Sequence, residues 1–199
     1  MVPVNRWWSY DLDRGQAADL HRRFEKLLAR RPAPAVLDVL DPGQSSNTLA
    51  RVHRLLDGIW AGHVGYASLD VDEFAEVFAG VLSLMALRDI AVLADGGGDK
   101  GVVFVYPDYA AEARSLCGSS AGWGSWLRNG LPPRVVLHTA ALLPELRKTS
   151  AATALVDWAM RRAVEDGYEQ AIVALAVEGF LSKIGEQTRE YALYWRSLP

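Results

Sequence analysis

RVVLHTAALLPELRKTSAATALVDWAMRRAVEDGYEQAIVALAVE, residues 134–178, is the stretch whose reading decides the fold. Residues 134–142 are mostly apolar and carry paired valines, so they predict a strand. Pro144 ends it, since a proline cannot donate to a strand ladder. A helix is predicted over 150–166. Thr153, Asp157, Arg161 and Glu165 recur along it every four residues and form its wet face, with Asp–Arg and Arg–Glu pairs in reach. Gly167 is placed to cap its end, where the backbone turns left-handed. Residues 171–177 are almost wholly apolar, the pattern of a strand buried on both faces.

Working outward, residues 90–94 and 101–106 predict two strands joined by the flexible hairpin turn Asp95-Gly96-Gly97-Gly98-Asp99. A helix is expected over 16–31 and a strand over 35–41. A second helix starts from Ser45, Ser46 or Asn47, and a third from Asp70 or Asp72 with Phe74, Val77 and Phe78 on its apolar face. Residues 109–133 read as a short helix and a Gly/Ser/Trp-rich loop. Residues 189–199 alternate well enough for an edge or penultimate strand. The fold class is therefore α/β, or α+β, with a mixed sheet flanked by helices.

Composition narrows the function classes. The chain has 199 residues, half of them hydrophobic and 23% charged, which suits one globular domain with a substantial core. Its net charge of −3 and lack of a basic block argue against nucleic acid as a partner. A single cysteine excludes an internal disulfide, and His21, His53 and His63 lack metal-ligand spacing, so no metal is expected. The opening MVPVNRWWSYDLDRG has no secretory h-region and no run spans a bilayer, so a cytoplasmic protein without membrane contact is the expectation.

Residues 134–178 resemble the core of the GNAT superfamily of acyltransferases. The features that carry the resemblance are the strand-ending Leu142-Leu143-Pro144-Glu145, the turn Arg147-Lys148-Thr149-Ser150-Ala151-Ala152, and the long helix closed by Gly167-Tyr168. Trp60-Ala61-Gly62-His63-Val64-Gly65-Tyr66, Asp72-Glu73-Phe74 and Val103-Phe104-Val105-Tyr106-Pro107-Asp108-Tyr109 extend it more weakly over roughly residues 45–198. The resemblance implies a mostly antiparallel sheet that splays between two central parallel strands. It divides the chain into an acyltransferase domain, 45–199, and a helical and strand extension, 1–44, that matches nothing in the family, the two forming one compact unit. The activity it implies is transfer of an acetyl or other acyl group from acyl-CoA, such as acetyl-CoA, to a small-molecule amine. Two rivals remain: a donor thioester on an acyl carrier protein, and a GNAT-like binding or regulatory domain without catalysis.

A turn that opens a helix leaves backbone N–H groups pointing forward at the positive end of the helix dipole, a ready site for a pyrophosphate. The resemblance assigns that role to Arg147, Lys148, Thr149, Ser150, Ala151 and Ala152, and sets the pantetheine arm against the strand end at Thr139, Ala140 and Leu142. Ser150 stands where the family has its first glycine, adding a side chain whose hydroxyl can donate to phosphate. His138 is the candidate base; the alternative is a histidine packed beside the sheet. Glu178 closes the next strand, as a second catalytic candidate or a solvated strand end. Tyr191 and Tyr194 are the candidate acids, and Trp123 and Trp126 a candidate apolar wall for substrate, each with plain packing as its alternative. Only GFLSKIGEQT separates Glu178 from Arg189, too short for the helix of two to three turns expected there, although Ser182 offers a hydroxyl. Trp7-Trp8 reads either as a staple for the extension or as a homodimer contact.

Overall fold

The structure, a computed structural model, describes residues 2–40, 45–63, 66–82, 89–119, 122, 132–176 and 186–195. These residues form β1 (Val2–Asp13), α1 (Arg14–Arg30), β2 (Val36–Val39), α2 (Ser45–Trp60), α3 (Val71–Leu82), β3 (Ile90–Asp95) and β4 (Gly98–Pro107). There follow α4 (Ala110–Ser115), β5 (Arg134–Leu142), a 3-10 turn (Pro144–Leu146), α5 (Ala151–Glu165), β6 (Gln170–Ala176) and β7 (Glu186–Trp195). The strands make one sheet in the order β2-β3-β4-β5-β6-β1-β7. Among the described residues only β5 and β6 pair in parallel, and the other ladders are antiparallel. The mixed, mostly antiparallel sheet is as the sequence predicts.

Period-2 burial on the strands gives the sheet two apolar faces, and each is covered by helices. One face packs Leu93, Val103, Val105, Val135, Leu137, Val173, Tyr10 and Leu12 against Leu20 of α1 and Leu155, Trp158 and Met160 of α5. The other sets Ile90, Val92, Val102 and Phe104 under Val52, Leu55, Leu56 and Ile59 of α2 and Phe74 of α3. Val77, expected on the apolar face of α3, is instead 60% exposed, because only the Phe74–Phe78 side of that helix meets the sheet. Gly167 takes φ +82° just beyond α5, as its predicted capping role requires.

Residues 2–39 are built into this sheet. β1 lies between β6 and β7 and hydrogen-bonds to both, while β2 forms the opposite edge on β3. Asp13 ends β1 and caps α1 in one step: its carboxylate accepts from the Gln16 backbone N–H at 2.8 Å, and its own N–H donates to Gln16 Oε1 at 2.9 Å. Trp8 packs against the α1/α5 core, so it serves the sheet interior.

α1 lies along α5, and this changes the reading of the α5 wet face. Asp157 does not point to water with Arg161; its Oδ1 lies 2.7 Å from His21 Nδ1 on α1, and both side chains are largely covered. A helix neighbour hides this side of α5, a long-range fact that four-residue spacing does not encode. Arg162, not Arg161, makes the ion pairs, reaching Asp89 and Asp166. A double-mutant cycle on His21→Ala and Asp157→Ala should give a coupling of about 1 kcal/mol in chemical unfolding. Strict additivity of the two variants would show that this pair does not fasten α1 to α5.

Candidate active site

β5 and β6 pair only from Arg134↔Gln170 to Leu137↔Val173. Past that point β5 continues to Leu142 beside β4, and β6 continues to Ala176 beside β1. A slot opens between two parallel strands, and the β5 edge facing it, residues 138–142, has no strand partner among the described residues. An extended amide-bearing ligand can pair with such an edge.

The slot begins at an irregularity in β5. Phe104 pairs with Thr139 and Val105 with Leu137, so His138 is the extra residue of a β-bulge. The bulge carries His138 and Thr139 together: His138 Nδ1 lies 2.9 Å from Thr139 Oγ1. In the tautomer with the proton on Nδ1, that nitrogen donates to Thr139 and leaves Nε2 as a free base. The imidazole keeps an exposed edge, but the surrounding protein lowers its pKa below the ordinary histidine value by burial. It is therefore neutral, and competent as a base, through the neutral pH range. Tyr106 of β4 packs against it, with ring centroids 5.4 Å apart. Burial first, and the Asp108 carboxylate second, raise the Tyr106 pKa.

Beyond Leu142, where β5 ends, the chain enters the turn before α5. Beside it lies an open cavity of about 390 Å³ lined by Leu27, Leu28, Arg31, Lys148, Thr149, Ser150 and Thr153. Arg31, from the segment after α1, lines this cavity together with Lys148 and Thr149 of the turn. Nothing local marks Arg31 for this role, since it lies 117 positions before Lys148. Ser150 does not aim its hydroxyl at the cavity: Oγ donates to the Pro32 carbonyl at 2.8 Å, tying the α1–β2 link to the turn. The Ala151 N–H is held by Thr149 Oγ1 at 3.2 Å, while those of Ala152 and Thr153 have no acceptor among the described residues. Arg147 turns back to the strand end, its Nε donating to the Leu142 carbonyl at 3.2 Å, and does not line the cavity.

The two candidate tyrosines are not gathered here. Tyr191 and Tyr194 sit exposed on the edge strand β7, separated from β6 by the whole of β1. Glu178, Ser182, Trp123 and Trp126 lie outside the described residues. Among the described residues no cluster of His, Cys, Asp or Glu could hold a metal, and no helix is long and apolar enough to cross a membrane.

No protein-family model matches the chain, and no curated protein matches it. Solved structures do. A GCN5-related N-acetyltransferase from Sphaerobacter thermophilus aligns with TM-score 0.58 and 9% identity, over 96% of this chain and 51% of its own. The chain has the GNAT fold. The glucosamine N-acetyltransferase region of a fungal multi-domain GH3 beta-N-acetylglucosaminidase aligns with TM-score 0.54 and 12% identity, over 95% of this chain and 20% of that one. The chain thus spans about half the length of the first and a fifth of the second. Both alignments include the N-terminal residues, so the GNAT-fold likeness extends beyond the 45–198 stretch seen from sequence. The segment in which a helix is expected after β6, residues 177–185, lies outside the described residues; the helix that packs beside α5 is α1.

Proposed function

We propose that this protein is an N-acyltransferase that moves an acetyl or other acyl group from acyl-CoA to an amine. One observation carries the reading: the β5–β6 slot opens at the His138 bulge, and the turn that follows β5 contributes Lys148 to a cavity shared with Arg31 at the start of α5. An acyl pantetheine chain laid along residues 139–142 would set its thioester near His138 and its phosphates at the turn. There the N–H groups of Ala152 and Thr153 and the two cations meet the anion. In the tautomer with its proton on Nδ1, facing Thr139 Oγ1, His138 takes at Nε2 the proton that the attacking neutral amine gives up.

Isothermal titration with acetyl-CoA and a longer acyl-CoA, followed by thioester turnover with an amine panel, tests this reading. Absence of binding by both donors would overturn it. Turnover only with an acylated carrier protein would replace coenzyme A as the donor. The cavity has its own check. Arg31→Ala and Lys148→Ala should each raise the donor KM about tenfold, the loss of a charged hydrogen bond, with kcat little changed. An unchanged donor affinity in both variants would place the phosphates elsewhere.

A further inference from the structure

Acyl transfer from a thioester to an amine needs a second proton movement besides the one His138 performs. As the tetrahedral intermediate collapses, the C–S bond breaks and its electron pair goes to sulfur, which leaves most readily when protonated. The tyrosines suggested by sequence are poorly placed for this. β1 separates β7 from β6, so Tyr191 and Tyr194 stand two strand spacings, about 9–10 Å, from the slot's nearer wall.

We infer, resting on the acyltransferase reading, that Tyr106 is the acid of the reaction, delivering its phenolic proton to the departing sulfur beside the His138 bulge. Tyr106 projects from β4 with Phe104, on the α2/α3 side of the sheet, and its ring contacts the imidazole. It is half-buried and opposite Val136, one step short of the point where the slot opens. The charged group that acts on it is Asp108, whose carboxylate accepts from the Arg134 guanidinium. Its raised pKa keeps the phenol protonated and ready to donate through the neutral range.

The protons balance over one turnover. The amine nitrogen forms the new N–C bond and gives a proton to His138 Nε2. The sulfur takes the electron pair of the broken C–S bond and the proton of Tyr106. Amide and free thiol leave, the His138 imidazolium gives its proton to water, and the Tyr106 phenolate takes one back from water, which resets the site.

The test is Tyr106→Phe in the full chain, assayed with acetyl-CoA and the best amine of the panel. kcat should fall about 100-fold with both KM values within about twofold, and the alkaline limb of the kcat profile should vanish while the acid limb of His138 remains. Loss of packing alone would lower thermal stability and leave that limb in place. A fluorinated tyrosine at position 106, nearly the same shape, should move the alkaline limb to lower pH. A kcat within threefold of wild type in Tyr106→Phe, or an unmoved limb with the fluorinated residue, would overturn the assignment of Tyr106 alone. Failure of the wild-type chain to transfer from any thioester would overturn the acyltransferase reading, and this inference with it.

Discussion

Removal of residues 2–13 should leave a chain that does not fold. β1 is an interior strand, hydrogen-bonded to β6 on one side and β7 on the other. Without it β7 loses the strand that joins it to the sheet, and β6 gains a bare edge. Ser9, Tyr10 and Leu12 are almost fully buried, and Asp13 carries the cap of α1, so the loss reaches the α1–α5 packing as well. The cost exceeds the 5–15 kcal/mol that separates folded from unfolded domains of this size. Circular dichroism and a thermal melt decide the matter: a truncated chain that is soluble and melts cooperatively would refute it. A graded version avoids dependence on a chain that fails to fold. Leu12, only 1% exposed, should lose roughly 2–5 kcal/mol on change to alanine, and the melting temperature should drop by about 5–15 °C.

His138→Ala should lower turnover by roughly 10²–10⁴-fold, the usual worth of a positioned base. Burial holds the His138 pKa below its ordinary value, so the neutral imidazole dominates at neutral pH. In the wild type, kcat/KM should stay level through neutrality and fall only as pH drops through that lowered pKa. The variant should lack the acid limb altogether. Stability follows the same sign. Below the unfolded histidine pKa the unfolded chain binds a proton that the folded site resists, so stability falls with decreasing pH there. His138→Gln, which keeps a polar group beside Thr139 Oγ1, should be inactive like alanine yet fold as wild type. A rate within threefold of wild type in both variants, with the acid limb intact, would remove His138 from the chemistry.

Much of the architecture is legible from local pattern. The apolar run of β5, the apolar face of α5 and the left-handed Gly167 are each set by residues adjacent in the chain. β1 is not among the strands expected from sequence: Trp8, Tyr10 and Leu12 alternate with Ser9 and Asp11, but Arg6 and Trp7 break the period before them. Its place between β6 and β7 has no local mark, because strand order is set by pairing between segments more than 150 residues apart.

The site divides in the same way. The turn from Arg147 to Ala152 and the strand end from Thr139 to Leu142 are visible as motifs, since proline, small residues and cations occur there in sequence. The bulge at His138 depends on how β4 and β5 register, and the contact of Tyr106 with His138 follows from that register. Arg31 reaches the cavity only because α1 packs along α5, and Ser150, read as a phosphate donor, spends its hydroxyl on Pro32 for the same reason. By itself, then, the sequence determined the identity and span of most elements and the turn between β5 and α5, because those depend on local periodicity and turn chemistry. Which side chains meet there, and the role of the first 40 residues as sheet and cavity wall, were decided by tertiary structure, through contacts between residues far apart in the chain.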